Sequence, residues 1–151
     1  QAMFDKLSIL GRDLLMETLP KLFAGDINPV PQDESKVTFS PNISREEERI
    51  DWELTATQIA NKIRGMRPWP VAHALLNDER CKMWAAVPVE EASDSKPGTI
   101  THWDKSGIYV ACGQATTLKI TELQPSGKKR MTVTDFLNGN DMEALMQIGF
   151  D

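Results

Sequence analysis

Arg67-Pro68-Trp69-Pro70 separates two sequence textures that cannot run through one another. Each proline fixes its own φ, lacks a backbone donor and pushes the residue before it out of the α region. Upstream, Ile59, Ile63 and Met66 recur at helical spacing with Asn61, Lys62 and Arg64 between them, which predicts an amphipathic helix from Thr55 to Met66. Downstream, apolar and polar residues alternate in short runs. The chain must therefore pass from a basic helix into a β-region through a stiff, aromatic corner.

The runs beyond the corner predict strands. Val71 to Leu76 is apolar and stops at the turn signal Asn77-Asp78. From Arg80 to Val89 the alternation puts Cys81, Met83, Ala85 and Val87 on one face. Thr99 to Trp103 and Ile108 to Ala111 flank Asp104-Lys105-Ser106-Gly107, a hairpin loop. Thr117 to Leu123 carries Leu118, Ile120 and Leu123 before a break at Pro125-Ser126-Gly127. Thr132 and Asp135 have the spacing to cap a short helix bearing Phe136 and Leu137, which Gly139 ends. About five short strands between helices predict a mainly-β fold with helices, a small closed or half-open barrel.

Phe4 to Phe23 reads as one long helix with an apolar stripe of Leu7, Leu14, Leu15, Leu19 and Leu22, stopped by Gly25. Such a stripe expects a partner. Together with the start at Gln1, it leads to the expectation of a fragment or processed product whose first helix, residues 1–25, has lost its neighbours. A stripe left without its partner is open to self-association. Pro29, Pro31 and Pro41 mark residues 26–43 as a stiff linker. Ser44 and Glu47 have capping-box spacing and open the barrel domain, residues 44–151.

At 151 residues, 40% hydrophobic and 26% charged, the composition is that of a soluble globular protein. No apolar run approaches the ~20 residues of a membrane helix, so no membrane contact and a cytoplasmic location are expected. Cys81 and Cys112 read as reduced core residues, with a mutual disulfide as the alternative. His73 and His102 have no metal-site partners in spacing and read as structural. Asp51-Trp52-Glu53 reads as a solvated face or a helix start rather than as an acid–base pair. No nucleophile elbow, P-loop or dinucleotide fingerprint is present. The sequence thus offers no catalytic, cofactor-binding or metal-binding residue. Trp84 and Trp103 lie in strands and are assigned to the core, although aromatic platforms on a barrel can also stack nucleotides.

Charge is the remaining signal. The net charge is −5, and acids crowd the stretch from Asp26 to Glu53. Between Ala115 and Arg130 the balance reverses, with Lys119, Lys128, Lys129 and Arg130 against Glu122. Pro125-Ser126-Gly127 places Lys128, Lys129 and Arg130 in a loop, where successive cations can reach one phosphate path.

Four stretches resemble the methionyl-tRNA formyltransferase family across essentially the whole chain. They are Phe4-Asp5-Lys6-Leu7, Pro31-Gln32-Asp33-Glu34, SREEERIDWELTATQIANKIRGMRPWP from Ser44 to Pro70, and LQPSGKKRMTVTDFLNG from Leu123 to Gly139. The resemblance is to the C-terminal half, and it implies a small open β-barrel of the oligonucleotide-binding type over residues 44–151, preceded by a linker and by residues 1–25 as the last helix of a missing Rossmann-like domain. It implies a parent enzyme that moves a formyl group from 10-formyltetrahydrofolate to the α-amino group of methionine on initiator tRNA. It also implies that a Rossmann-like N-terminal domain, carrying an Asn, a His and an Asp, performs the chemistry. This chain would bind tRNA and be inactive alone, with its own N-terminal domain and initiator methionyl-tRNA as partners. The expected tRNA-binding residues are Lys128, Lys129 and Arg130, followed by Lys119, Arg64 and Arg67. The resemblance makes the proline corner the entry to the barrel, with Trp69 wedged into it; Val71 departs from a position that is often small in the family. The alternatives are a related formyltransferase acting on a sugar nucleotide, a relative that hydrolyses formyltetrahydrofolate, or a stand-alone nucleic-acid-binding module.

Overall fold

The computed structural model describes residues 2–151. They form two units, the first ending at Asn42 and the second running Ile43–Asp151. The first holds helix α1, Ala2–Ala24, which has no buried residue. Leu7, Leu14, Leu15 and Leu22 are all exposed. Gly25, in the left-handed region at φ 76°, stops the helix. One short 3-10 turn, Glu34–Lys36, interrupts the proline-rich stretch and is capped by the Asp33 carboxylate.

In the second unit, α2 (Arg45–Glu48) and α3 (Ala56–Gly65) each begin with a capping box, Ser44 with Glu47 and Thr55 with Gln58. These reciprocal bonds satisfy donors that the first helical turn leaves free. The 3.6-residue repeat then turns Ala56, Ile59, Ala60 and Ile63 inward. Burying each isoleucine is worth roughly 1.5–3 kcal/mol, which is what anchors so short a helix.

Six strands follow: β1 (His73–Leu76), β2 (Glu79–Val89), β3 (Ile100–Asp104), β4 (Gly107–Cys112), β5 (Thr116–Pro125) and β6 (Met131–Thr132). They form one antiparallel sheet in the order β1-β2-β5-β4-β3, with β6 beside β5. The mainly-β fold with flanking helices is as expected. Two further helices, α4 (Val133–Leu137) and α5 (Met142–Ile148), close the chain. The core is filled by Met83, Ile100, Ile108, Val110, Leu118, Ile120 and Leu123, under Ile59 and Ile63. Cys81 and Cys112 are free, buried thiols, so the disulfide alternative falls away.

The two outer edges of the sheet are joined by the last residues. Leu75 and Asp151 exchange both backbone hydrogen bonds, at 2.6 and 2.9 Å. Phe150 N–H donates to the Gly98 carbonyl at 2.8 Å, just ahead of β3. The Phe150 ring lies against Trp52 at 5.7 Å between centroids. Gly98, at φ 89°, is the place where this closure needs a missing Cβ, which would stand 2.3 Å from the Phe150 carbonyl oxygen. Gly113 serves a similar close approach, because a Cβ there would overlap the Glu53 carbonyl. It is a packing glycine as well as a turn one, lying between β4 and β5.

Three expectations are corrected. The strand after the corner starts at His73, not Val71, because Val71 sits at φ 74°. That is a strained region for a β-branched residue. Burial of its side chain and an N–H bond to the Met66 carbonyl at 3.0 Å hold it there. Trp69 does not wedge the corner: it is 82% exposed, and Pro70 is the residue that is buried. Finally, the one-face alternation of β2 fails after Met83. Register shifts between Met83 and Ala85 and between Ala85 and Ala86 turn the strand. Ala86 then packs on the core while Val87 is 48% exposed.

Candidate nucleic-acid interface

The bulge in β2 also sets the position of Trp84, which is half-buried rather than in the core. Its indole N–H donates to Gln124 Oε1 at 2.9 Å, and Gln124 Nε2 in turn donates to the Lys128 carbonyl at 2.9 Å. The Arg130 guanidinium lies over the Trp84 ring, 4.7 Å from its centroid. From the other side, Arg67 Nη1 donates to the Trp84 carbonyl at 3.0 Å. One tryptophan therefore ties the proline corner to the basic loop, two regions more than fifty residues apart in the chain.

Of the three loop cations, Lys128 and Lys129 are exposed. Arg130 is not equivalent to them. Its Nε and Nη2 both bond to Glu122 Oε2, a pair formed across the β5–β6 turn. The loop therefore presents two free-standing lysines and one arginine whose charge is partly spoken for. Sequence reasoning grouped the three as equals because it had no means of placing Glu122 beside Arg130.

Lys119 belongs to a different surface. It pairs in register with Val87 on β2 and Tyr109 on β4, and Tyr109 pairs with His102 on β3. Directly opposed residues share a face, so these four cross the outside of the sheet in one row. The His102 and Tyr109 rings stack at 4.0 Å, and Lys119 Nζ lies 5.4 Å from the tyrosine ring. His102 Nδ1 is 3.6 Å from Glu91. Arg64 lies on the exposed side of α3 and donates from Nη2 to Asn61 Oδ1 at 2.9 Å. The structure brings Arg67 and Arg130 onto one residue, sets Arg64 and Arg67 along one groove, and keeps Lys119 on the sheet row.

His73 is buried, and burial is the main cause that holds its pKa below the usual value, with Arg80 adding to it and Glu48 opposing. Burial pushes the Cys81 and Cys112 thiols up to about 12. Among the described residues, no group of three His, Cys, Asp or Glu side chains is placed to hold a metal ion. No helix among them is long and apolar enough to cross a membrane.

Fold and surface together define a class: a small antiparallel β-domain with a cation-bearing outer face built around Trp84. Its central part can be placed more closely. The family model for the formyl transferase C-terminal domain matches residues 42–141, and the chain belongs to that family. It is 55% identical over 137 residues to the methionyl-tRNA formyltransferase of Enterococcus faecalis, a match covering 91% of this chain and 44% of that protein. It is 49% identical over 140 residues to the methionyl-tRNA formyltransferase of Bacillus subtilis, covering 93% and 44%. The chain thus spans less than half the length of the curated relatives it matches. Among solved structures, HypX from Aquifex aeolicus in complex with tetrahydrofolic acid superposes with a TM-score of 0.60 at 22% identity, over 83% of this chain and 22% of that one. A variant of the same protein gives 0.63 at 20% identity, over 88% and 24%. At such identity the likeness is one of fold.

Proposed function

We propose that this chain is the tRNA-holding part of a methionyl-tRNA formyltransferase. In the whole enzyme, a preceding catalytic domain transfers the formyl group of 10-formyltetrahydrofolate to the α-amino nitrogen of methionine on initiator tRNA, releasing tetrahydrofolate. The observation that carries the reading is identity of 46–55% to relatives of that name through more than nine-tenths of the chain. The geometry supports it with a surface on which Trp84 gathers Arg67, Arg130 and the loop bearing Lys128 and Lys129. Those residues would hold the phosphate backbone, which fixes register without reading sequence. Lys119 and Arg64 would extend the contact, and the barrel would act as an oligonucleotide-binding module in the cytoplasm. The exposed apolar side of α1 would meet the catalytic domain, or a second copy of the chain when that domain is missing.

The test is formylation by the full-length protein. It should consume 10-formyltetrahydrofolate only when initiator methionyl-tRNA is present. Removing residues 43–151 should raise the KM for tRNA much more than the KM for the folate. A full-length protein that formylates a sugar nucleotide, or hydrolyses the folate without tRNA, would overturn the reading.

A further inference from the structure

A groove of about 430 Å³ runs between α3 and the bulged part of β2. Its size lies within the usual range of small-ligand sites. We propose that this groove holds one nucleotide of the bound RNA, with its phosphate on Arg64 and Arg67 and its ribose or base on the floor formed by Ala86 and Val87. The proposal rests on the tRNA reading above and adds a specific site to it.

Charge is the first argument. The chain carries 22 acidic residues against 17 lysines and arginines. The groove is nevertheless lined by two arginines and no carboxylate. An anion entering it meets attraction without a neighbouring acid to oppose it, and a guanidinium fork matches two phosphate oxygens at once. Preorganisation is the second argument. Arg64 is held by Asn61 and Arg67 by the Trp84 carbonyl, each through one hydrogen bond. A guanidinium has five donors, so each keeps several for a ligand. Each bond removes part of the side chain's freedom before binding, which lowers the cost of association.

The floor supplies the third argument. An unbulged β2 would direct Val87 to the face of Cys81 and Met83, which are buried. The two register shifts instead leave Val87 exposed at the groove, beside two arginines. That places an apolar patch for a sugar or base within the reach of a phosphate clamp. Because Arg67 also reaches Trp84, on which Arg130 lies, the groove continues the path that starts at the basic loop.

The experiment uses the 151-residue chain, labelled with nitrogen-15, and an initiator tRNA transcript. Amide signals of Ala60, Ala86 and Val87 should move on titration together with those of Lys128 and Lys129. Arg64→Ala should weaken binding about threefold and reduce the salt slope by about 0.7–0.9, the value of one lost phosphate contact. Val87→Glu should weaken it at least tenfold, with melting temperature as the check on its fold. Arg64→Ala, at an exposed helix position, decides the matter if Val87→Glu is poorly folded. Binding with an unchanged slope in Arg64→Ala and silent groove signals would overturn the groove while leaving the tRNA reading intact. Groove signals that move with chain concentration rather than RNA would assign the site to a second copy and overturn it too. No tRNA binding at all, even at low salt, would remove both.

Discussion

Under the proposed tRNA reading Glu122 would compete with RNA for Arg130, and this leads to a prediction of unusual sign: Glu122→Gln should strengthen RNA binding. The carboxylate takes two bonds from the guanidinium, yet the side chains are 49% and 32% exposed, so the pair is a surface one. Its loss should cost no more than about 1 kcal/mol of stability. The guanidinium stays over Trp84 and becomes free for a phosphate. One added phosphate contact releases about 0.7–0.9 counterions, so the slope of log affinity against log salt should steepen by that amount. Between 50 and 200 mM salt, a fourfold change, the variant should lose about threefold more affinity than the wild type. Equilibrium binding of a fluorescent initiator tRNA across that range measures it. Glu53→Gln, the same charge change beside Gly113, serves as the control. If Glu122→Gln leaves the slope unchanged or weakens binding, then Arg130 serves Trp84 and not RNA.

Changing Lys128, Lys129 and Arg130 together to alanine should flatten the salt slope by about 2 and raise the tRNA KM of the whole enzyme, with kcat at saturating tRNA changed less; steady-state kinetics at two salt concentrations would show it. Phe150→Ala, at a buried ring that helps close the sheet, should cost about 3–5 kcal/mol and lower the melting temperature sharply in a calorimetric scan. Because burial lowers the pKa of His73, the folded state favours the neutral ring. The stability this gives is present above the unfolded value of about 6.5 and is lost as pH falls through the lower folded value. Melts at pH 7 and pH 5 should therefore converge more in His73→Gln than in the wild type. With pKa values of about 12, Cys81 and Cys112 should resist a thiolate-directed reagent at pH 8 until the chain is unfolded, when both should react.

The helices and the hairpin were legible because their signals are local. Ser44 with Glu47 and Thr132 with Asp135 each form the cap their spacing implies. Asp104 and Gly107 pair across the tight turn as expected. What escaped was non-local. A bulge in β2 depends on how β5 lies beside it, and nothing in the run from Arg80 to Val89 announces it. The strand β6 is two residues long and exists only through its pairing with Glu122 and Leu123. The six cationic residues were expected from charge and resemblance, but Trp84, Gln124 and Glu122, which contact Arg67, Arg130 and the Lys128 backbone, carried no sequence signal stronger than strand alternation. Trp69 shows the limit from the other side. Two flanking prolines suggested a packed corner, whereas tertiary context buries Pro70 and turns the indole outward.

The seam at Phe150 and Asp151 orders events in time. A ribosome delivers Leu75 and Leu76 long before the residues that pair with them, so during synthesis the outer edge of β1 stands without that partner. The hairpins β1–β2 and β3–β4 need only nearby residues and can form at once, whereas sealing the sheet must wait for Phe150 and Asp151. An unsatisfied strand edge is a template for another chain's backbone. A nascent chain stalled or cleaved shortly before Gly149 would hold nearly all of its core and still display that edge. Quality control would meet it as a nearly native domain with one sticky side.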